Sequence, residues 1–405
     1  MNREPKLRFK EFCGEWEEKR LEEIAEISSG LTPLRSELKY YINPTIPWIK
    51  TTDLNNSYIE TTEEKINEIT LKETSLKLLP KDTLLIAMYG GFNQIGRTGL
   101  TTIESTTNQA LSAIKFNNKN ISSFFFLNFF NCKVNVWKRV SASSRKDPNI
   151  TKKDIESFKV YYPDYKEQQK IADFLSSVDK KISITEEKLD LFKEYKKGIM
   201  QKIFNQELRF KDSNGNDYPE WEEKRLEKFL IEYNEKTTIN NQYSTISSTA
   251  TGIYLQEEYF NRQIASSDNT GYKILNKNQL VFSPQNLWLG NININLKYEK
   301  GIVSPSYKIF DINENFILIN YFKHILKTSR MLEKYKNASE QGASIVRRNL
   351  DMKQFLEIKI DLPCLEEQQK IADFLSSIDN KIDSLAAELE NLKEFKKGLL
   401  QQMFV

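Results

Sequence analysis

Amide and guanidinium side chains recur in short turn-like stretches of this chain. Asn93, Gln94 and Arg97 follow one apolar run, Gln285, Asn286 and Trp288 follow its counterpart, and Asn108 and Gln109 form a further pair. Amides and arginines hydrogen-bond base edges in a nucleic-acid groove, and aromatic rings stack on bases. In glycine-bearing turns the same amides also serve as turn formers, so both readings stand. Cations gather close by. Lys133, Lys138, Arg139, Arg145, Lys146, Lys152 and Lys153 face one acid, Asp147. Lys323, Lys327, Arg330, Lys334, Lys336, Arg347, Arg348 and Lys353 face Glu333, Glu340 and Asp351. Arg139, Arg145, Lys146, Arg330, Arg347 and Arg348 are the candidates for phosphate contacts, which set register without reading sequence. Either cluster alone fits a solvated helix face. Their recurrence at matching places brings a duplex level with that reading.

Catalysis has no comparable foothold. There is no GxxxxGK[ST] loop, and Gly90, Gly91 and Gly96 do not make GxGxxG. No Asn-Pro-Pro-Tyr or Asp-Pro-Pro-Tyr motif of base methylation occurs. The single histidine, His324, removes His-pair metal sites and fits a structural or phosphate-facing role better than acid–base work. No catalytic, cofactor-binding or metal-binding residue is therefore assigned. Cys13, Cys132 and Cys364 are odd in number and lack CxxC spacing, which suits a reducing cytoplasm. The opening residues carry no apolar run of a signal peptide, and the patch from Phe124 to Phe130 is far too short for a bilayer. Lys and Arg total 59 against 56 Asp and Glu, so a polyanionic partner must be argued from local clusters.

These residues sit on a duplicated frame. The 11 residues from Glu167 to Ser177 return unchanged as Glu367 to Ser377, offset by 200 in a chain of 405. Lys196-Lys197-Gly198 returns as Lys396-Lys397-Gly398. Such self-similarity marks two copies of one unit. After each identity runs a helix with a seam. Ile171, Leu175, Val178, Ile182, Thr185, Leu189, Phe192, Lys196, Ile199 and Ile203 step by alternating fours and threes. Ile371, Leu375, Ile378, Ile382, Leu385, Leu389, Leu392, Lys396, Leu399 and Met403 do the same. That spacing predicts a left-handed coiled coil, roughly 55 Å long at about 1.5 Å per residue. The alternative is two separate amphipathic helices, each on its own globular region.

Arg8-Phe9-Lys10 and Trp16 to Leu21 recur as Arg209-Phe210-Lys211 and Trp221 to Leu226, with a four-residue insertion at a turn around Asn214-Gly215-Asn216-Asp217. Strands are expected at 46–50, 83–88 and 111–114, and a helix with a buried aromatic face over 122–139. Residues 277–282 match 81–86, 304–310 take the place of 108–114, and 316–322 match 124–130. The fold class is α+β. Helix one delivers the chain to region two, so paired seams must be antiparallel. The expectation is two globular domains separated by an antiparallel two-helix coiled coil, a pseudo-two-fold internal repeat with neighbouring termini. Two-fold placement would offer a duplex two half-sites.

Pro363-Cys364-Leu365-Glu366-Glu367-Gln368, its looser counterpart Pro163-Asp164-Tyr165-Lys166-Glu167-Gln168, and the cyclic duplicated order resemble the DNA-specificity subunit of type I restriction–modification systems over the whole chain. The resemblance implies target-recognition domains at 1–163 and 221–363, conserved coiled-coil helices at 164–204 and 364–405, and a linker at 205–220. It implies a non-catalytic subunit that reads a bipartite double-stranded DNA site, one half per domain, with the unread spacer set by the helix pair. Two methylation subunits would supply S-adenosylmethionine and adenine methylation, restriction subunits would supply ATP/Mg-driven translocation and cleavage, and no membrane is involved. A two-headed scaffold that binds only proteins is the alternative, distinguished by an absence of salt-sensitive DNA affinity. A self-sufficient nuclease or methylase would need activity from the isolated chain.

Overall fold

The computed structural model describes residues 3–141, 149–259, 266–341 and 348–405. The chain forms two compact units, one made of Met1–Glu187 with Ala387–Val405 and the other of Lys188–Ala386. Both long helices form, Tyr165–Phe204 and Leu365–Met403. Each passes from one unit into the other.

The first unit is built on a five-stranded sheet in the order Ala25–Ser29, Leu111–Phe116, Leu84–Ala87, Thr98–Thr101, Tyr58–Ile59. The first four strands are antiparallel neighbours, with Ala25 opposite Phe116, Leu84 opposite Ile114 and Leu84 opposite Leu100. Leu84 to Ala87 are all buried, as a central strand covered on both faces demands. The second unit repeats the first four of these as Leu230–Tyr233, Lys308–Ile312, Leu280–Phe282, Ile292–Ile294. Its register is likewise antiparallel, with Leu280 opposite both Phe310 and Ile294. A two-stranded ribbon closes each unit, Glu17–Arg20 with Lys159–Tyr162 and Glu222–Arg225 with Lys359–Leu362. The expected turn forms in the second copy, where Asp212 Oδ1 accepts the amides of Asn214 and Asn216, both at 2.8 Å.

The helix expected over 122–139 is two helices, Ser123–Cys132 and Val134–Ser141. Ser122 caps the first by accepting Phe125 N, and Lys133 ends it at φ −95° and ψ 8° with its amide on Phe130 O. The break serves two packing partners. Phe125 lies against Trp16 and Phe404, whereas Trp137 stacks on Phe158 with ring centroids 4.2 Å apart. A straight helix could not present both faces.

Each unit holds the opening of one long helix beside the end of the other. In the first, Ile171, Leu175 and Val178 share a core with Leu399, Met403 and Phe404. In the second, Ile371, Leu375 and Ile378 share one with Ile203. Within the first unit, Asp179 pairs with Lys396 and Glu186, further along the first helix, pairs with Lys393, earlier on the second. The two stretches therefore run antiparallel. The lysines interrupting both seams are ion-paired, Lys396 with Asp179 and Lys196 with Asp379. The same helix openings also belong to the globular cores, but the helices are paired and not separate. Leu7 N donates to Gln402 O at 2.9 Å, which makes the ends neighbours as expected.

Candidate nucleic-acid interface

The start of each long helix is fixed by the repeated Glu-Gln pair. Glu167 is buried and takes a two-pronged hydrogen bond from Arg8, Nε to Oε1 at 2.8 Å and Nη2 to Oε2 at 2.7 Å. Glu367 takes the same from Arg209 at 3.3 and 2.9 Å, and Trp221 Nε1 adds a third bond at 3.1 Å. These carboxylates raise the pKa of both arginines, chiefly through the side-chain hydrogen bond. Gln168 spans Pro163 O and Ser122 N, and Gln368 spans Pro363 O and Leu318 N. Ser122 and Leu318 are the caps of the aromatic helices Ser123–Cys132 and Ile319–Ile325. One buried amide thus ties the long helix to the helix beneath the sheet. The repeat was plain in the sequence, but these partners lie too far along the chain for spacing to reveal them.

At the sheets' ends this frame presents two loop systems. Ala87 pairs with Leu111, so the 88–97 loop and the 108–110 turn leave the same end of the first sheet. Gly90, Gly91 and Gly96 have φ of +120°, +89° and +76°, the left-handed region that glycine tolerates. The loop closes through Gln94 N and Ile95 N on Gly91 O, Gly96 N on Ala87 O and Ala87 N on Arg97 O. Arg97 Nη1 donates to Gln94 Oε1 at 3.2 Å. Asn93 is exposed. Asn108 Oδ1 accepts Ala110 N at 3.1 Å, so this side chain shapes its own turn. Gln109 is exposed; its Oε1 accepts from Thr32 Oγ1, and its carbonyl accepts the Tyr89 hydroxyl at 2.8 Å. Burial raises the Tyr89 pKa, keeping that donor protonated. Five candidates therefore gather at one sheet end. Arg139 lies exposed on the helix whose Trp137 abuts Gly96.

In the second unit Phe282 pairs with Lys308, which puts the 283–291 loop at the equivalent end. Asn286 opens a 3-10 turn, Leu287–Leu289, that Gly290 closes at φ +84°. Arg348 N donates to Gln285 O at 3.3 Å, and the Arg348 guanidinium lies 5.9 Å from the Trp288 ring. Arg348 Nη2 donates to Ser339 O at 2.8 Å, while its buried Nε finds no partner among the described residues. Gln285, Asn286, Trp288 and Arg348 are thus brought together. Arg330 stands apart in an exposed ion pair with Asp361 at 3.1 Å. Arg145, Lys146 and Arg347 lie outside the described residues. Several other cluster cations are engaged internally: Lys327 Nζ donates to Asn293 Oδ1 at 2.7 Å and Lys133 Nζ to Val405 O at 2.6 Å. His324 is a correction to the phosphate-facing option. It is 5% exposed in the Ile319–Ile325 helix, and burial pushes its pKa down to about 3. Among the described residues, no helix is long and apolar enough to cross a membrane.

Two unlike loop systems, displayed on one repeated sheet and locked to paired long helices, define a duplicated reading protein. Residues 14–194 and 190–394 each match the type I restriction modification DNA specificity domain, and the chain belongs to that family. It is similar to the MjaIX type I restriction enzyme specificity subunit of Methanocaldococcus jannaschii, at 25% identity over 70% of this chain and 69% of that one. It is also similar to the EcoR124I/EcoR124II specificity subunit of Escherichia coli, at 27% identity over 44% of each chain. The S subunit of a type I restriction–modification system from M. genitalium shares the fold, with a TM-score of 0.60 and 15% identity over 99% of both chains. The chain is a DNA-sequence specificity subunit, and a protein-only scaffold is not favoured.

Proposed function

We propose that this chain reads a bipartite double-stranded DNA site, one half per unit, and seats partner subunits that carry the chemistry. In this reading two methylation subunits bind S-adenosylmethionine and methylate adenine, and restriction subunits use ATP and Mg. The chain itself is non-catalytic and works in the cytoplasm. The supporting observation is the same order of four strands in both units, Ala25–Ser29, Leu111–Phe116, Leu84–Ala87, Thr98–Thr101 in one and Leu230–Tyr233, Lys308–Ile312, Leu280–Phe282, Ile292–Ile294 in the other, with unlike residues on the loops that leave the equivalent end. Shared scaffolds with different loops suit two readers of different sequences.

Mapping methylated adenines in the source genome with and without this gene tests the reading. One interrupted motif should vanish on deletion. If no bipartite motif depends on the gene, the proposal falls. The isolated chain should neither methylate nor cleave, and binding by the assembled complex should weaken steeply as salt rises.

A further inference from the structure

We propose that Phe92 in the first unit and Leu289 in the second are apolar wedges, each entering one base-pair step of its half-site. The proposal rests on the bipartite reading above and assigns a deforming contact within it.

The chain has 24 phenylalanines. Among the described residues only Phe92 and Phe395 rank as exposed, each at 52%. Isolated exposed apolar residues are ordinary on protein surfaces. What distinguishes Phe92 is its mounting. It follows Gly90 and Gly91, whose positive φ values turn the chain outward. Gln94 N and Ile95 N both bond Gly91 O, and Ile95 is fully buried as an anchor. The ring is therefore held out by a braced loop. The second unit repeats the device with different residues. Leu289 is 44% exposed at the end of its 3-10 turn, Leu287 is the fully buried anchor, and Gly290 N closes the turn on Leu287 O at 2.8 Å.

Both tips stand among groups that hydrogen-bond base edges: Asn93, Gln94 and Arg97 in one unit, Gln285 and Arg348 in the other. A protein-docking surface needs a contiguous apolar patch of hundreds of Å². Phe92 is the one exposed large apolar side chain of its loop, and Leu289 with the half-buried Trp288 is all that its counterpart offers, so neither loop supplies one. Such a tip does match the pattern of a residue inserted between stacked bases, where apolar wedges partly unstack one step and bend the duplex. A ring and a smaller branched side chain would open unlike steps, which adds selectivity for deformable sequences in each half.

The test uses the assembled methylation complex and a duplex carrying the mapped motif. 2-Aminopurine is placed singly at each position other than the methylated adenine, which a methyltransferase flips out in any case. The wild-type complex should raise fluorescence at one step in each half. Phe92→Ala should abolish the rise in one half only and weaken binding by about ten- to hundredfold, the loss typical of a base–aromatic stack. Phe92→Trp should retain both, and Leu289→Ala should silence the other half. Unchanged binding by Phe92→Ala, or no rise at any position with wild type, overturns the wedge. A wild-type complex with no preference for the mapped motif over a scrambled duplex would instead overturn the bipartite reading itself. Unchanged melting temperatures will establish that the exposed-site variants fold.

Discussion

Glu367 is fully buried and its partner Arg209 is one-fifth exposed, so the pair is set where water solvates one side only. Removing one member of a buried pair is costly because the other charge stays behind. Among the described residues, Arg209→Ala leaves the carboxylate only the Trp221 indole. The expected loss is about 3 kcal/mol, at the low end for buried pairs because of the partial exposure. Urea unfolding measures it, and a loss well under about 1 kcal/mol would mean the pair behaves like a surface one. His324 offers a pH-dependent counterpart. Desolvation, aided by Lys323 and Lys196 and opposed by Asp379, pushes its folded pKa to about 3, below the ordinary 6.5. A group depressed on folding supports the native state above its unfolded pKa, and that support is lost as pH falls toward the folded value. Stability should therefore decline between pH 6.5 and 3 more steeply in the wild type than in His324→Leu. Equal slopes in parallel denaturation series would remove His324 as a contributor.

At the scale of elements, the long helices were legible because a heptad seam is local and repeats many times. The lysines within that seam were legible only as interruptions. Their reason, Asp379 and Asp179, lies on the other helix. The strands at 84–87 and 111–116 followed from apolar runs. The break at Lys133 did not, since it answers to Trp137 stacking on Phe158 from a later segment. Among the site candidates, the grouping of Asn93, Gln94, Arg97, Asn108 and Gln109 depends on strand register, which sequence spacing alone does not fix. Asn108 shows the turn-forming alternative realised. The seam carries its own prediction. Leu375 is fully buried in it, whereas Leu191 on the first long helix is 57% exposed. Leu375→Ala should cost about 2–5 kcal/mol through lost transfer energy and a cavity. Leu191→Ala should stay within about 0.5 kcal/mol. Comparable melting temperatures for both variants would contradict the assigned seam.

For the whole molecule, near-identical helices and divergent loops divide the labour. The 11 repeated residues contain the Glu-Gln pair that fixes each helix start, so they are constrained by contacts both units must make. The loops at the sheet ends answer to no such shared contact and differ freely: Gly90-Gly91-Phe92-Asn93 in one, Gln285-Asn286-Leu287-Trp288 in the other. Recognition should therefore be exchangeable by unit. Replacing residues 227–363 with the equivalent region of another family member leaves Arg209, Trp221 and Glu367 in place, so the clamp on the second helix survives. The ribbon strand Lys359–Leu362 changes, but it pairs with Glu222–Arg225 through backbone bonds that most sequences can make. Methylation mapping of cells carrying the exchanged chain should then show one half of the motif altered and the other retained. An alteration in both halves would mean that reading is shared between the units, and an unaltered motif would mean that residues 227–363 do not read DNA at all.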